Sequence, residues 1–188
     1  MKRVFILIAV LLSFKNAVLA QEELPPVDKS PLDICYFPVD YPHLKVQSQV
    51  KDQPVARVIY SRPKTEGRAV FGGLISYGKL WRMGANEATE IEFYRPVTIS
   101  GKKIAKGRYT LYAIVQEESW TIILNKDTDV WGSFVYNEAK DIVRAEVPVS
   151  TLAEPVENLS MTFKEKSNTE IKLVIAWDTV KVALPINI

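Results

Sequence analysis

Cysteine and histidine each occur once in this sequence, as Cys35 and His43, and these two scarcities exclude a good deal. With a single cysteine a monomer has no internal disulfide, so core packing must hold the chain together. Cys35 itself is expected as a small buried hydrophobe. With a single histidine, set in the proline-rich "YPHLK", the usual parts of a Ser-His-Asp triad or a multi-histidine metal centre are missing. No metal site and no cofactor is expected, and no residue is assigned a catalytic role.

An excess of one charge is missing too. Lys and Arg total 24 against 22 Asp and Glu. Three of those cations fall in the first twenty residues, which read as a secretory leader: Lys2 and Arg3, an apolar run from Val4 to Leu12, and Val18-Leu19-Ala20 before Gln21. Lys15 and Asn16 interrupt that run short of the roughly 20 apolar residues a membrane-spanning helix needs. Without Lys2, Arg3 and Lys15 the basic count falls from 24 to 21 against 22 acids. That balance gives no reason to expect nucleic acid or an anionic membrane as partner. The expectation is a chain exported to the periplasm or beyond, soluble once the leader is removed, with no transmembrane segment in its mature part.

Helical patterning is also scarce. The best window, "SFVYNEAKDIVRAEV", leaves Asn137 to Asp141 without apolar anchors. Residues 21–54 hold six of the eleven prolines and read as an extended arm, with Tyr36, Phe37 and Tyr41 packed onto the body. From residue 55 to residue 188 the chain is rich in β-branched and aromatic runs: "VARVIYSR", "EIEFYRPVTIS", "RYTLYAIVQ", "SWTIILNK", "IVRAEVPVS", "ENLSMTFKEK" and "EIKLVIAWDTVKVALPI". Ile171, Leu173, Ile175 and Trp177 share one face of the last run. Seven or more short strands separated by turn signals predict one all-β domain, an antiparallel sandwich or a barrel-like relative.

Five of the eight glycines, at 67, 72, 73, 78 and 84, fall between Arg62 and Glu90. That density predicts a long shaped loop, the kind of element on which binding concentrates. Within it, "YGKLWRMGANEATEI" gathers planar and polar groups. Arg62, Arg68 and Arg82 offer forks for carboxylate or phosphate, Asn86 a donor and an acceptor, and Tyr77 and Trp81 faces for a sugar ring. With Glu87 these residues are the candidate ligand site, and the ligand they suit is a polar, oxygen-rich small molecule, carbohydrate among the options. A scaffold reading accounts for the same residues: Arg82 pairs with Glu87 or Glu90, Trp81 plugs the core, and Asn86 caps a turn.

"YSRPKTEGRAVFGGLISYGKLWRMGANEATEI", with the later "GKKIAKGRYTLYAI" and "WTIILNKDTDVWG", resembles the bacterial exported family catalogued as domain of unknown function 2911, from about Ala56 to the C-terminus. Arg62, Gly67, Arg68, Gly72, Tyr77, Trp81, Arg82, Asn86 and Thr89 are among the matching positions. Met83 stands where threonine is usual, and Ser76 where proline is. The resemblance implies an exported β-rich fold and brings no activity with it.

Three other chemistries are weaker. "GRAVFGGL" lacks the ending and context of a phosphate loop, and "NKDTD" lacks the glycine and distal glutamate of a calcium loop. Glu87, Glu90, Glu92, Asp127 and Asp129 contain the makings of a glycosidase carboxylate pair, although Glu90 and Glu92 also fit a solvated strand face. The leading expectation is therefore a non-enzymatic binding domain. A structural or interaction protein of the cell envelope comes second, and a carboxylate-based glycoside hydrolase third.

Overall fold

Alternating apolar residues, the pattern read above as strands, build two antiparallel sheets. The computed structural model describes residues 24–188, and the expected leader, residues 1–20, lies outside them. The larger sheet runs in the order β1 (Leu32–Phe37), β2 (Ala56–Ser61), β4 (Glu90–Phe93), β7 (Gly107–Val115), β8 (Ser119–Asn125), β9 (Asp141–Pro148), with the two-residue β3 (Leu80–Trp81) also on β7. The smaller sheet runs β10 (Ser150–Ser167), β11 (Glu170–Asn187), β5 (Val97–Ile99), β6 (Lys102–Ile104). The result is an all-β sandwich and not a closed barrel. Among the described residues no helix is long and apolar enough to cross a membrane.

The core fills the space between the sheets. Leu111, Ala113 and Val115 of β7, Trp120, Ile122 and Leu124 of β8, and Ile171, Leu173, Ile175 and Trp177 of β11 are all buried there. Each large apolar side chain so placed contributes about 1.5–3 kcal/mol. In β11 the inward set changes parity after Trp177, continuing with Val182, Leu184 and Ile186. The cause is Asp178, whose φ of 53° puts an irregularity into the strand and exchanges its two faces.

Two strand runs switch sheets. "EIEFYRPVTIS" breaks at Arg95-Pro96, leaving β4 in the larger sheet and β5 in the smaller. β9 passes into β10 through Val149, whose amide donates to the Glu118 carbonyl.

Residues 32–46 of the proline-rich segment carry regular structure. β1 pairs with β2 along its whole length, from Leu32 opposite Ser61 to Phe37 opposite Ala56. A six-residue helix follows at Tyr41–Val46, with proline in its first turn, where the missing N–H costs nothing. Tyr41 anchors the helix, its hydroxyl donating to the Asp52 carbonyl and its ring lying 5.9 Å from that of Tyr36. Cys35 is half-buried in β1, and burial with the nearby Asp33 charge pushes its thiol up to about 12.

Candidate functional site

The glycine-rich segment between β2 and β4 leaves the larger sheet, reaches the edge of the smaller one and returns. Thr65 donates its amide to the Glu157 carbonyl, and Leu159 donates to Pro63, so residues 63–65 lie along β10. Phe71 then enters the core beside three tryptophans. Its ring centroid is 5.0 Å from Trp120, 6.0 Å from Trp81 and 6.2 Å from Trp177. Gly84 permits a close approach, since a Cβ there would stand 2.7 Å from the Ser61 hydroxyl. That buried hydroxyl accepts from the Ala85 amide at 2.5 Å and donates to its carbonyl at 2.6 Å, which fixes the motif onto the end of β2.

This packing decides the place of each candidate. Trp81, only 3% exposed, stacks on Trp177 at 6.0 Å and donates its indole N–H to the Gly84 carbonyl. Its expectation as a ligand platform is corrected: a ring enclosed by core side chains offers no face to a sugar. Arg62 is spent on scaffold, donating from Nε to the Leu159 carbonyl at 3.1 Å, from Nη1 to Asp33 at 2.9 Å and from Nη2 to Ser160 at 2.9 Å. Arg68 ties its own loop, donating to the carbonyls of Thr65 and Lys64. Tyr77 is 37% exposed and lies over Gly72, in a depression it shares with Gln116 to Ser119.

Arg82, Asn86 and Glu87 remain at the surface or half-buried. Asn86 takes a left-handed backbone at φ 57°, which asparagine tolerates. Its amide donates to Asp28 at 3.0 Å, joining the motif to the N-terminal segment rather than capping its own turn. Arg82 makes no ion pair among the described residues, neither with Glu87 nor with Glu90. Its Nε is shielded from water without an acceptor, and burial holds its guanidinium below the usual arginine range. Glu87 is exposed and stands opposite Trp131 in an antiparallel bridge.

That bridge borders a cleft of about 230 Å³ on the outer face of the larger sheet. Leu32, Ile59, Ala88 and Val130 give it apolar surface, and Glu87, Glu90, Arg108 and Asp129 give it charge. Glu90 accepts from the Asp129 amide at 2.6 Å and pairs with Arg108 at 3.3 Å, while Arg108 also pairs with Asp129. Glu87 is thus the one carboxylate of the cleft without a cationic partner among the described residues. Glu92, on the same face of β4 as Glu90, pairs with Arg57 at 2.7 Å at an angle unlike that of a hydrogen bond. Among the described residues no three His, Cys, Asp or Glu side chains converge as a metal site.

Of the seven candidates, only Glu87 lines this cleft. Tyr77 sits by the Val115 end of β7 and Arg108 near the other end, about 23 Å apart at the rise of a strand. Sequence reasoning named Asp129 among the candidate carboxylates but missed Arg108 and the apolar loop residues from Trp131 onward. Trp131, Phe134 and Val135 are 59%, 86% and 66% exposed. Their signal was present in "VWGSFVY", large apolar residues in a segment with neither strand nor helix periodicity, between "NKDTD" and "NEAK".

The architecture is that of a two-sheet β-sandwich whose motif segment borders a polar cleft. The model of the family described as "Protein of unknown function (DUF2911)" matches residues 42–186, and the chain belongs to that family. No curated protein and no solved structure matches it.

Proposed function

We propose that this chain is an exported, non-enzymatic binding domain for a polar small ligand of the carbohydrate class, held at the Glu87 cleft. The observation that carries this reading is the pairing of Glu87 with Trp131 beside that cleft. Residues opposite each other in an antiparallel pair project to the same side of the ribbon, so an exposed indole face and a carboxylate without a cationic partner among the described residues stand together. Sugars are bound by that combination: the ring stacks on the aromatic face and its hydroxyls donate to the carboxylate. The cleft lies below the 300–1,000 Å³ usual for ligand pockets, which suits a single ring with the rest of the ligand outside.

A thermal-shift and calorimetric screen of mono- and oligosaccharides tests the proposal, because a ligand specific to the native state raises the unfolding midpoint. Trp131→Ala and Glu87→Gln should each remove the shift given by a sugar that binds the parent chain. Absence of any sugar-dependent shift, or an equal shift in both variants, would overturn it. Export is read separately, from the intact mass of the chain recovered outside the cytoplasm, with Gln21 expected at its start.

One observation favours a second reading: Glu87, Glu90 and Asp129 line the same cleft, as the two carboxyls of a glycosidase must. Arg108 engages two of the three, which leaves Glu87 to act alone. Release of reducing sugar that disappears in Glu87→Gln would convert the binding domain into a hydrolase.

A further inference from the structure

We infer that Arg82 anchors a second binding site, flanking the Glu87 cleft across Ala88 and Val130, for a small organic carboxylate that carries an apolar or aromatic group. Trp81 and Met83 on either side of it are buried in the inter-sheet core, so Arg82 points to the opposite, outer face of the larger sheet. Leu80, two residues before it and on the same face, pairs with Ile114, and Trp81 pairs with Ala113. The surface beside Arg82 is apolar. Tyr112 packs edge-on against Tyr136 at 5.1 Å, and Leu80, Ile114, Ala88 and Val130 join the same small cluster, the last two also lining the Glu87 cleft. Phe134, 86% exposed, belongs to the loop that supplies Tyr136. Arg82 does not line the Glu87 cleft, and the ribbon formed by Asn86–Ala88 with Val130–Gly132 runs beside that cleft.

The state of the guanidinium points to a ligand. Arg57, Arg62, Arg68, Arg108 and Arg144 all hold a carboxylate of the described chain within 4.0 Å; Arg82 and the exposed Arg95 do not. Arg82 differs from Arg95 in being half-buried, with its Nε removed from water and given no acceptor. A shielded donor without a partner opposes folding, and burial already holds this guanidinium below its usual range. Residues that weaken the fold in this way are retained where function requires them. With Nε shielded, it is the Nη1–Nη2 edge, which has no hydrogen bond among the described residues, that takes a planar carboxylate through two parallel hydrogen bonds, and the apolar cluster alongside takes a hydrophobic substituent.

The probes are N-acetylphenylalanine and its neutral amide, titrated by calorimetry into the exported chain and into Arg82→Gln and Arg82→Lys. The acid should bind about tenfold or more tightly than the amide, lose at least that factor in Arg82→Gln, and lose part of it in Arg82→Lys, which keeps the charge without the fork. Equal binding of acid and amide, binding of neither, or undiminished binding in Arg82→Gln overturns the proposal. Arg82→Met covers the case in which the glutamine variant folds poorly. It retains the packing stem and removes the unpaired charge, so its unfolding midpoint should equal or exceed that of the parent; a clearly lower midpoint makes Arg82 a scaffold residue and overturns the site.

Discussion

The glycine-rich segment treats its polar groups in opposite ways along its length. From Arg62 to Arg68 each arginine is matched: Arg62 holds Asp33, Ser160 and the Leu159 carbonyl, and Arg68 holds two carbonyls of its own loop. From Arg82 to Glu87 the motif leaves a cation and an anion without charged partners among the described residues, although both belong to one short stretch. Both halves contain arginine, glutamate and glycine. What separates scaffold from surface is whether each donor and acceptor has been given a partner, because an unmatched polar group at a partly buried position costs stability that nothing inside the fold returns.

The strongest way to break this comparison lies at Trp81, where the motif enters the core. Trp81→Ala removes an indole packed among Phe71, Trp120 and Trp177 and leaves a cavity, so the stability loss should be about 3 to 5 kcal/mol by urea unfolding. A loss below about 1 kcal/mol would mean that the ring is not the pin of the segment, and the division between its halves would fail.

That burial also shows how far the sequence was legible. Strands β7, β8 and β11 announced themselves because one of their faces lies in a dry core, where the period of two is enforced; Ile171 to Trp177 is the clearest case. β1 was hidden because prolines at 31 and 38 bracket it and its outer residues Leu32 and Ile34 are exposed, so its apolar pattern is mixed. The helix at Tyr41–Val46 is too short to show periodicity. At the site, residue type alone cannot rank Trp81 against Trp131: an aromatic beside glycines reads the same whether it plugs a core or caps a surface. Arg108 escaped because its role depends on Glu90 and Asp129, brought to it from other parts of the chain.

Arg62 comes next in expected effect. Arg62→Ala removes three hydrogen bonds and frees Asp33, but this pair is about 36–41% exposed, and water compensates much of the loss. A cost of about 1 to 2 kcal/mol is expected after that discount. Should it cost nothing, the matched half of the segment would be no better anchored than the unmatched half.

Glu157 sharpens the same contrast through pH. The Thr65 hydroxyl and the Glu66 amide both donate to its carboxylate, and they hold it below the ordinary glutamate value of 4.5. A carboxyl depressed in the folded state contributes stability that is present above its unfolded pKa and lost as pH falls through its folded one. The parent chain should therefore unfold at a higher temperature than Glu157→Gln near neutral pH, and the gap should close on acidification below 4.5. A gap that stays constant with pH would assign the effect to packing instead of charge.

The smallest stability effect is expected at Glu87, and it carries the most functional weight. The side chain is exposed and has no ionic partner among the described residues, so Glu87→Gln should change unfolding by no more than about 0.5 kcal/mol in either direction. The substitution keeps the size of the side chain and removes only the charge, so any loss of sugar-dependent thermal shift reports on the ligand and not on the fold. Together with Trp131→Ala, which removes the exposed ring opposite, it separates the two roles open to this surface. Loss of the shift in both, with stability intact, is the behaviour of a binding site. A stability loss of about 2 kcal/mol or more in Glu87→Gln, of the order seen when a buried charged partner is removed, would place Glu87 in the scaffold with Arg62 and turn the chain into a structural component of the cell envelope.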